Sequence, residues 1–179
     1  KNYEKSIEFY SLVLNKLEKN SPAYADSLYR RGSSYERIGD YEKSDKDLVE
    51  SLSIIRDDPY VLNYLAYSWL ERDHKVNVAI KMLQTAYEKK NDDPYIVDSL
   101  GWAYYKSGDY IKAEKYLNYA VQLRPNDPVI MDHYGDALWK LNKKLQARYF
   151  WKNAVKINDS NEIDKDLVKK KILTGPNKI

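Results

Sequence analysis

The sequence predicts an all-α fold, a solenoid of antiparallel helix pairs, and three observations predict it. First, a pattern returns about every 34 residues. Counting from Ala25, Pro59, Pro94 and Pro128, positions seven and eight read Arg31-Gly32, Leu65-Ala66, Leu100-Gly101 and Tyr134-Gly135, and position eleven reads Tyr35, Trp69, Tyr104 and Leu138. Second, Asp58-Pro59, Asp93-Pro94 and Asp127-Pro128 read as helix starts. There an aspartate caps free amides and proline takes the first helical position without losing a bond. Third, position fifteen holds Gly39, Gly108 and Asn142, residues that tolerate the left-handed conformation ending a helix, which puts a turn inside each repeat. No strand-like alternation competes with this reading.

Residues 1–20 read as the second helix of a truncated repeat, because Asn2-Tyr3-Glu4-Lys5-Ser6 echoes Asp40-Tyr41-Glu42-Lys43-Ser44. The echo implies a longer array whose preceding helix met residues 3–17. Four repeats follow at 25–58, 59–93, 94–127 and 128–161. In the first, Ser44 and Ser51 replace the two alanines of the second helix. The second repeat carries one extra residue between Trp69 and Ala79, which predicts a bulged turn from Arg72 to Asn77. The third fits most fully, with Leu100, Gly101, Tyr104, Ala113, Leu117, Ala120 and Pro125 in phase, and the fourth keeps Gly135, Ala147 and Ala154. Residues 162–173 occupy the phase of a fifth first helix with sparse apolar positions, Ile163, Leu167 and Ile172, before Gly175-Pro176. That is the pattern of a polar capping helix, followed by a tail at 174–179, and the whole chain 1–179 reads as one solenoid.

The phases have a mechanical reason. An absent side chain at Gly101 lets the first helix approach the second, and Ala113 and Ala120 make room on the facing helix. Tyr104, Leu117 and their equivalents fill the remaining space, each worth about 1.5–3 kcal/mol of apolar burial.

Composition limits the function. The 179 residues carry a net charge of +3 with 32% charged side chains, a near balance that gives nucleic-acid binding no support. The lysines at 169–171 are the one basic run and read as a solvated cap surface. There are no cysteines, which excludes disulfides and thiol chemistry, and no stretch approaches membrane-span length, so this segment is not expected to insert in a bilayer. No cofactor motif is present, and two histidines, His74 and His133, offer little for catalysis. The only cluster of ligand type is Asp132-His133 with Asp136 one turn later, which leaves a metal-dependent or accessory enzyme as an alternative.

The repeat pattern is similar to that of the tetratricopeptide repeat (TPR) family. The resemblance implies a right-handed superhelix of helix pairs, no catalysis, and protein or peptide binding on the concave face formed by the first helices. Family geometry assigns positions two, five, six, nine, twelve and thirteen of each repeat to that face. These give Asp26, Tyr29, Arg30, Ser33, Glu36 and Arg37, then Tyr60, Asn63, Tyr64, Tyr67, Leu70 and Glu71. Next come Tyr95, Asp98, Ser99, Trp102, Tyr105 and Lys106, and finally Val129, Asp132, His133, Asp136, Trp139 and Lys140. The implied groove is aromatic and locally acidic. Its expected peptide contacts are Tyr29, Asn63, Tyr64, Tyr67, Asp98, Trp102, Tyr105, Asp132, His133 and Asp136, with Trp102 and Tyr64 foremost as exposed contacts.

The lysine-asparagine clamp of chaperone-binding relatives is not matched, since Tyr29, Ser33, Tyr64, Tyr95 and Ser99 stand at comparable positions. Residues 98–154 also resemble the C-terminal part of bacterial TPR scaffolds, including envelope lipoproteins that serve carboxy-terminal processing proteases. That implies a bacterial adaptor in the cell envelope. Self-association through repeat ends is a further alternative.

Overall fold

In the computed structural model, which describes residues 2–157 and 163–176, the first helices begin where the Asp-Pro pairs place them. The Oδ1 of Asp58 accepts from Tyr60 N at 2.9 Å and Val61 N at 3.1 Å. Asp93 and Asp127 repeat the arrangement two and three residues on. These caps open α4 (Pro59–Glu71), α6 (Pro94–Lys106) and α8 (Pro128–Lys140). Helix α2 (Pro22–Arg37) starts three residues before the repeat phase at Ala25, because Ser21-Pro22 supplies an equivalent cap, with Ser21 Oγ accepting from Tyr24 N at 3.2 Å. The remaining helices are α1 (Tyr3–Leu14), α3 (Tyr41–Ile54), α5 (Val76–Lys89), α7 (Tyr110–Leu123), α9 (Lys144–Lys156) and α10 (Lys165–Thr174). No strand occurs among the described residues. The expected first cap residue, Glu162, the end of the fourth repeat at 158–161 and the tail at 177–179 lie outside the described residues.

Within each repeat the turn forms at position fifteen, with φ of 81° at Gly39, 85° at Gly108 and 61° at Asn142. The second repeat's connection, 72–75, is one residue longer than 38–40, 107–109 and 141–143. Asp73 and Lys75 absorb the extra residue at positive φ. Val76 and Asn77, expected in the bulge, already belong to α5.

The chain divides into two compact units, Lys1–Ala86 and Tyr87–Ile179. In the first, an added Cβ on Gly32 would lie 3.0 Å from Leu48 Cγ, so α2 and α3 meet at close range. The degenerate first repeat replaces apolar packing with a half-buried ion pair. Arg31 grips Asp47 through two bonds, 2.7 and 2.8 Å, and reaches Ser11 of α1 at 3.2 Å. The same two repeat positions in the fourth repeat hold Tyr134 and Phe150, whose rings pack edge to face at 4.6 Å. Ser51 Oγ donates to Ala25 O at 2.9 Å, whereas Ser44 Oγ is buried with no hydrogen-bond partner among the described residues.

In the second unit, Val97, Ala120 and Ile130 join α6, α7 and α8 in a fully buried core. A Cβ on Gly101 would sit 2.7 Å from Leu117 Cγ, and one on Gly135 would fall on the indole of Trp151. Trp151 stands at the phase of Leu48 and Leu117 and is fully buried.

Two outcomes follow from these seams. Gly101→Ala and Gly135→Ala should each cost about 1–3 kcal/mol through overpacking, while Lys112→Ala on the exposed face stays within about 0.5 kcal/mol. Ser44→Ala should stabilise the protein by about 1 kcal/mol by removing an unsatisfied hydroxyl, and Ser51→Ala should destabilise it by a similar amount. Urea unfolding of the five variants checks this, and equal midpoints for the two serine changes would contradict the packing described.

Candidate functional site

The first-helix faces of the two units differ in what they leave accessible. In the first unit, Tyr29 of α2 and Tyr64 of α4 meet edge to face, ring centroids 5.8 Å apart, and both are half-buried. The Tyr64 hydroxyl donates to Glu36 Oε2 at 3.0 Å. Burial, and then the charge of Glu36, push its pKa upward, so it stays a neutral donor. Asn63 and Tyr67 are also half-buried, and Asn63 Oδ1 has no hydrogen-bond partner among the described residues. A cleft of about 340 Å³ opens here, lined by Tyr3, Ser6 and Tyr10 of α1, by Tyr29, Arg30, Ser33, Ser34 and Arg37 of α2, and by Tyr64. The α1 residues were not visible as site residues in the repeat phases, which begin at Ala25.

In the second unit the corresponding face is filled by its own side chains. Trp102 lies between two rings, stacked on Tyr105 at 4.7 Å and on His133 at 4.1 Å. It is 9% exposed and Tyr105 3%. The expectation of an exposed Trp102 contact therefore does not hold, because flanking aromatic faces cover both sides of the indole. The Tyr105 hydroxyl has no partner among the described residues, and burial, then Asp136, raise its pKa. Tyr95, at the start of α6, does remain exposed.

The three acids of this face are each paired from within the unit. Asp98 lies 3.0 Å from Nδ1 of His133. Burial alone would lower the histidine's pKa, but the Asp98 charge and hydrogen bond outweigh it and the net shift is upward. Asp132 and Asp136, one turn apart on α8, both face α10. Lys171 Nζ donates to both Asp132 oxygens at 2.9 Å and to Asp136 Oδ2 at 2.8 Å. Trp151 Nε1 donates to the other Asp136 oxygen at 3.1 Å. Helix α10 is fastened further by Arg148, which donates to Ile172 O at 2.8 Å, and by Gly175, which packs on the Trp139 indole.

The capping helix thus differs from its sequence-based description. Lys171, expected in a solvated run, is buried, while Lys169 and Lys170 are exposed. The inward apolar residue is Val168, with Leu167 facing solvent. The partners of Lys171 lie 35 and 39 residues away, beyond the reach of a reading by local pattern.

The same lysine bears on the metal alternative. Its ammonium occupies the space between Asp132 and Asp136, and His133 turns toward Asp98 instead of joining them. Among the described residues no group of three or more acids, histidines or cysteines is arranged to hold a metal ion.

Two tetratricopeptide repeat family models match the chain, at residues 25–58 and 95–127. The TPR repeat-containing protein PA4667 of Pseudomonas aeruginosa is 32% identical over 102 residues, 57% of this chain. The chain carries tetratricopeptide repeats. The match spans 17% of the length of the Pseudomonas relative. Among solved structures, this TPR chain is similar to the MamA RS-1 double mutant, with a TM-score of 0.71 and 20% identity over 90% of this chain and 88% of that one. It is also similar to MamA 41-end from Desulfovibrio magneticus RS-1, with a TM-score of 0.68 and 16% identity over 88% and 98%. At those identities the likeness establishes the TPR solenoid fold. The envelope-adaptor expectation rests on the sequence resemblance alone.

The ion cluster predicts a pH signature. Two carboxylates share one ammonium, so the trio is left with a net negative charge and one acid gains by holding a proton. Burial, reinforced by Asp132 and opposed by Lys171, pushes Asp136 up to about 6, above the unfolded value of about 3.9. A raised folded pKa means that the folded state binds more protons between those values. The stabilisation is present below about pH 4 and is lost as pH rises through 6. Urea midpoints of wild type and Asp136→Asn should therefore converge or cross between pH 4 and 6, with wild type losing ground as pH rises. Parallel curves would contradict the assignment. Lys171→Met strands two acids and should cost about 3–5 kcal/mol at pH 7.

Proposed function

We propose that this TPR protein is a non-catalytic scaffold that holds a segment of another protein against its first-helix face. The observation that carries this reading is the first-helix face of the first unit, where the rings of Tyr29 and Tyr64 stay partly accessible. Rings on a preformed surface supply large contact area with few rotatable bonds to immobilise, which is the usual character of an energetic hot spot in a protein interface. Tyr60, next along the same face of the first unit, is 48% exposed and extends the aromatic character. The acids that could have served an enzyme, Asp98, Asp132 and Asp136, are taken up by His133 and Lys171. They support recognition indirectly, by holding the helices that carry the face. The same holds for Trp102 and Tyr105, which pack the face from beneath.

The scaffold reading is tested by capturing partners on wild-type protein and titrating the captured partner against Tyr29→Ala with Tyr64→Ala. Loss of an aromatic hot spot should weaken binding by about 2 kcal/mol or more, roughly 30-fold, with helicity retained. Trp102→Ala should instead lower the melting temperature, because it empties a buried stack at a cost of about 3–5 kcal/mol. Unchanged affinity in the double tyrosine variant would move recognition away from this face.

A further inference from the structure

We propose that the outer side of α9 is a second docking surface, which takes an acidic protein segment carrying one large apolar side chain. This goes beyond the first-helix reading, because the surface is built mainly on a second helix. The seam residues of α9, Ala147, Trp151 and Ala154, are fully buried. Leu145, Tyr149, Lys152 and Lys156 are spaced four, three and four residues apart, which sets them in one stripe on the other side of the helix. All four are exposed, Leu145 to 81% and Tyr149 to 62%.

Beside Tyr149 and Lys156 lies a hollow of about 460 Å³, walled by Val121 of α7, Met131 of α8 and Phe150 and Asn153 of α9. The repeat count shows its origin. Thirty-four residues earlier, the phases of Val121, Phe150 and Asn153 hold Tyr87, Tyr116 and Tyr119, and Tyr87 packs edge to face on Tyr116 at 5.3 Å. The fourth repeat puts a valine and a short amide where the third has two phenol rings. The missing bulk leaves room for a side chain from outside.

The charge around the hollow has one sign. From Ala137 to Ile157 the chain has six basic residues and no acidic one. Four of the six are engaged internally: Lys143 pairs with Glu114, Arg148 donates to Ile172 O, and Lys140 and Lys144 lie over the rings of Tyr110 and Trp139. Lys152 and Lys156, one turn apart, have no partner among the described residues. Among those residues no carboxylate lines the hollow. Asp127, in the adjoining connection, caps α8 and pairs with Arg124 at 3.2 Å. An acidic segment is therefore attracted and a basic one repelled. Exposed ion pairs add little affinity, so the side chain in the hollow supplies most of it, while the lysines supply selectivity and steering. A hollow between helices suits a protruding side chain better than the flat surface of a bilayer.

The probe is a fluorescein-labelled twelve-residue peptide of glutamate and serine with one central tryptophan, alongside versions with glutamine for glutamate or alanine for tryptophan. Anisotropy titrations use the full 179-residue chain at low and high salt. The parent peptide should bind at least tenfold more tightly than either version at low salt. Its advantage over the glutamine peptide should shrink at high salt, and its advantage over the alanine peptide should persist. Lys152→Gln with Lys156→Gln should bring it down to the glutamine level. Asn153→Tyr restores the third-repeat residue, fills the hollow, and should bring it down to the alanine level. Lys169→Gln with Lys170→Gln removes the same charge from α10 and should change binding less than twofold. Circular dichroism confirms that each variant is folded. If the alanine peptide binds as well as the parent, or Asn153→Tyr has no effect, the hollow anchors nothing and the proposal is wrong. Equal binding of the glutamine peptide would remove the preference for acids. If every peptide fails while vesicles of phosphatidylserine and phosphatidylcholine bind through Lys152 and Lys156, the surface meets a membrane instead. Failure of peptides and vesicles alike also overturns it. The scaffold reading survives any of these results, since it is tested on Tyr29 and Tyr64.

Discussion

Everything on the first-helix faces depends on how closely the two helices of a repeat approach. With no side chain at Gly101 or Gly135, the facing Leu117 and Trp151 press against helix backbone. The bulk displaced from the seam has to go elsewhere. In the fourth repeat the largest side chain of the set, Trp151, takes the seam position itself and its indole N–H emerges beside Asp136. A packing solution on the inner side of the helix pair thereby creates an electrostatic requirement at its edge. The buried carboxylate needs further partners, and α10 supplies one through Lys171.

That chain of dependence explains why the acidic character of the first helices does not become an acidic recognition surface. A carboxylate removed from water is tolerated only with hydrogen bonds and a counter-charge. Asp98 and Asp136 are 5% and 3% exposed, and their needs are met by His133, Lys171 and Trp151. Once met, they have little to offer a ligand. The Arg31–Asp47 pair makes the parallel point in the first repeat, where charge substitutes for the apolar contact made by Tyr134 and Phe150. In both units buried charge belongs to the framework, and the accessible chemistry is that of tyrosine hydroxyls, aromatic edges and the two exposed arginines of α2.

Much of this architecture was legible in the sequence because its constraints are local. Glycine at one phase, alanine at two others and Asp-Pro at the helix starts are each demanded by geometry within a single repeat. Position fifteen in the left-handed region could be read from Gly39, Gly108 and Asn142 alone. Where the reading failed, the deciding contacts were remote in sequence. Lys171 sits in a run of three lysines that resembles any solvated helix end, and only its distance to α8 shows that it is buried. Trp102 looked available because the family phase assigns it to the concave face, yet a phase says nothing of whether neighbouring rings cover it. The early start of α2 was missed for a different reason. Ser21-Pro22 provides the same cap as an Asp-Pro pair, displaced by a turn from the repeat count. The cleft residues of α1 fell outside every counted repeat.

The Lys171 ammonium group reports directly on whether the acids of the second unit are internal structure. An ammonium held by three hydrogen bonds and shielded from water exchanges its protons slowly, whereas a solvated lysine exchanges too fast to be seen under the same conditions. Heteronuclear NMR of the lysine side chains near neutral pH should show a protected Lys171 ammonium signal. That signal should couple through space to Asp132 and Asp136, and it should persist when a protein partner is bound. If Lys171 instead exchanges like Lys112, or is released when a partner binds, the carboxylates of α8 are open to ligands and the account is wrong.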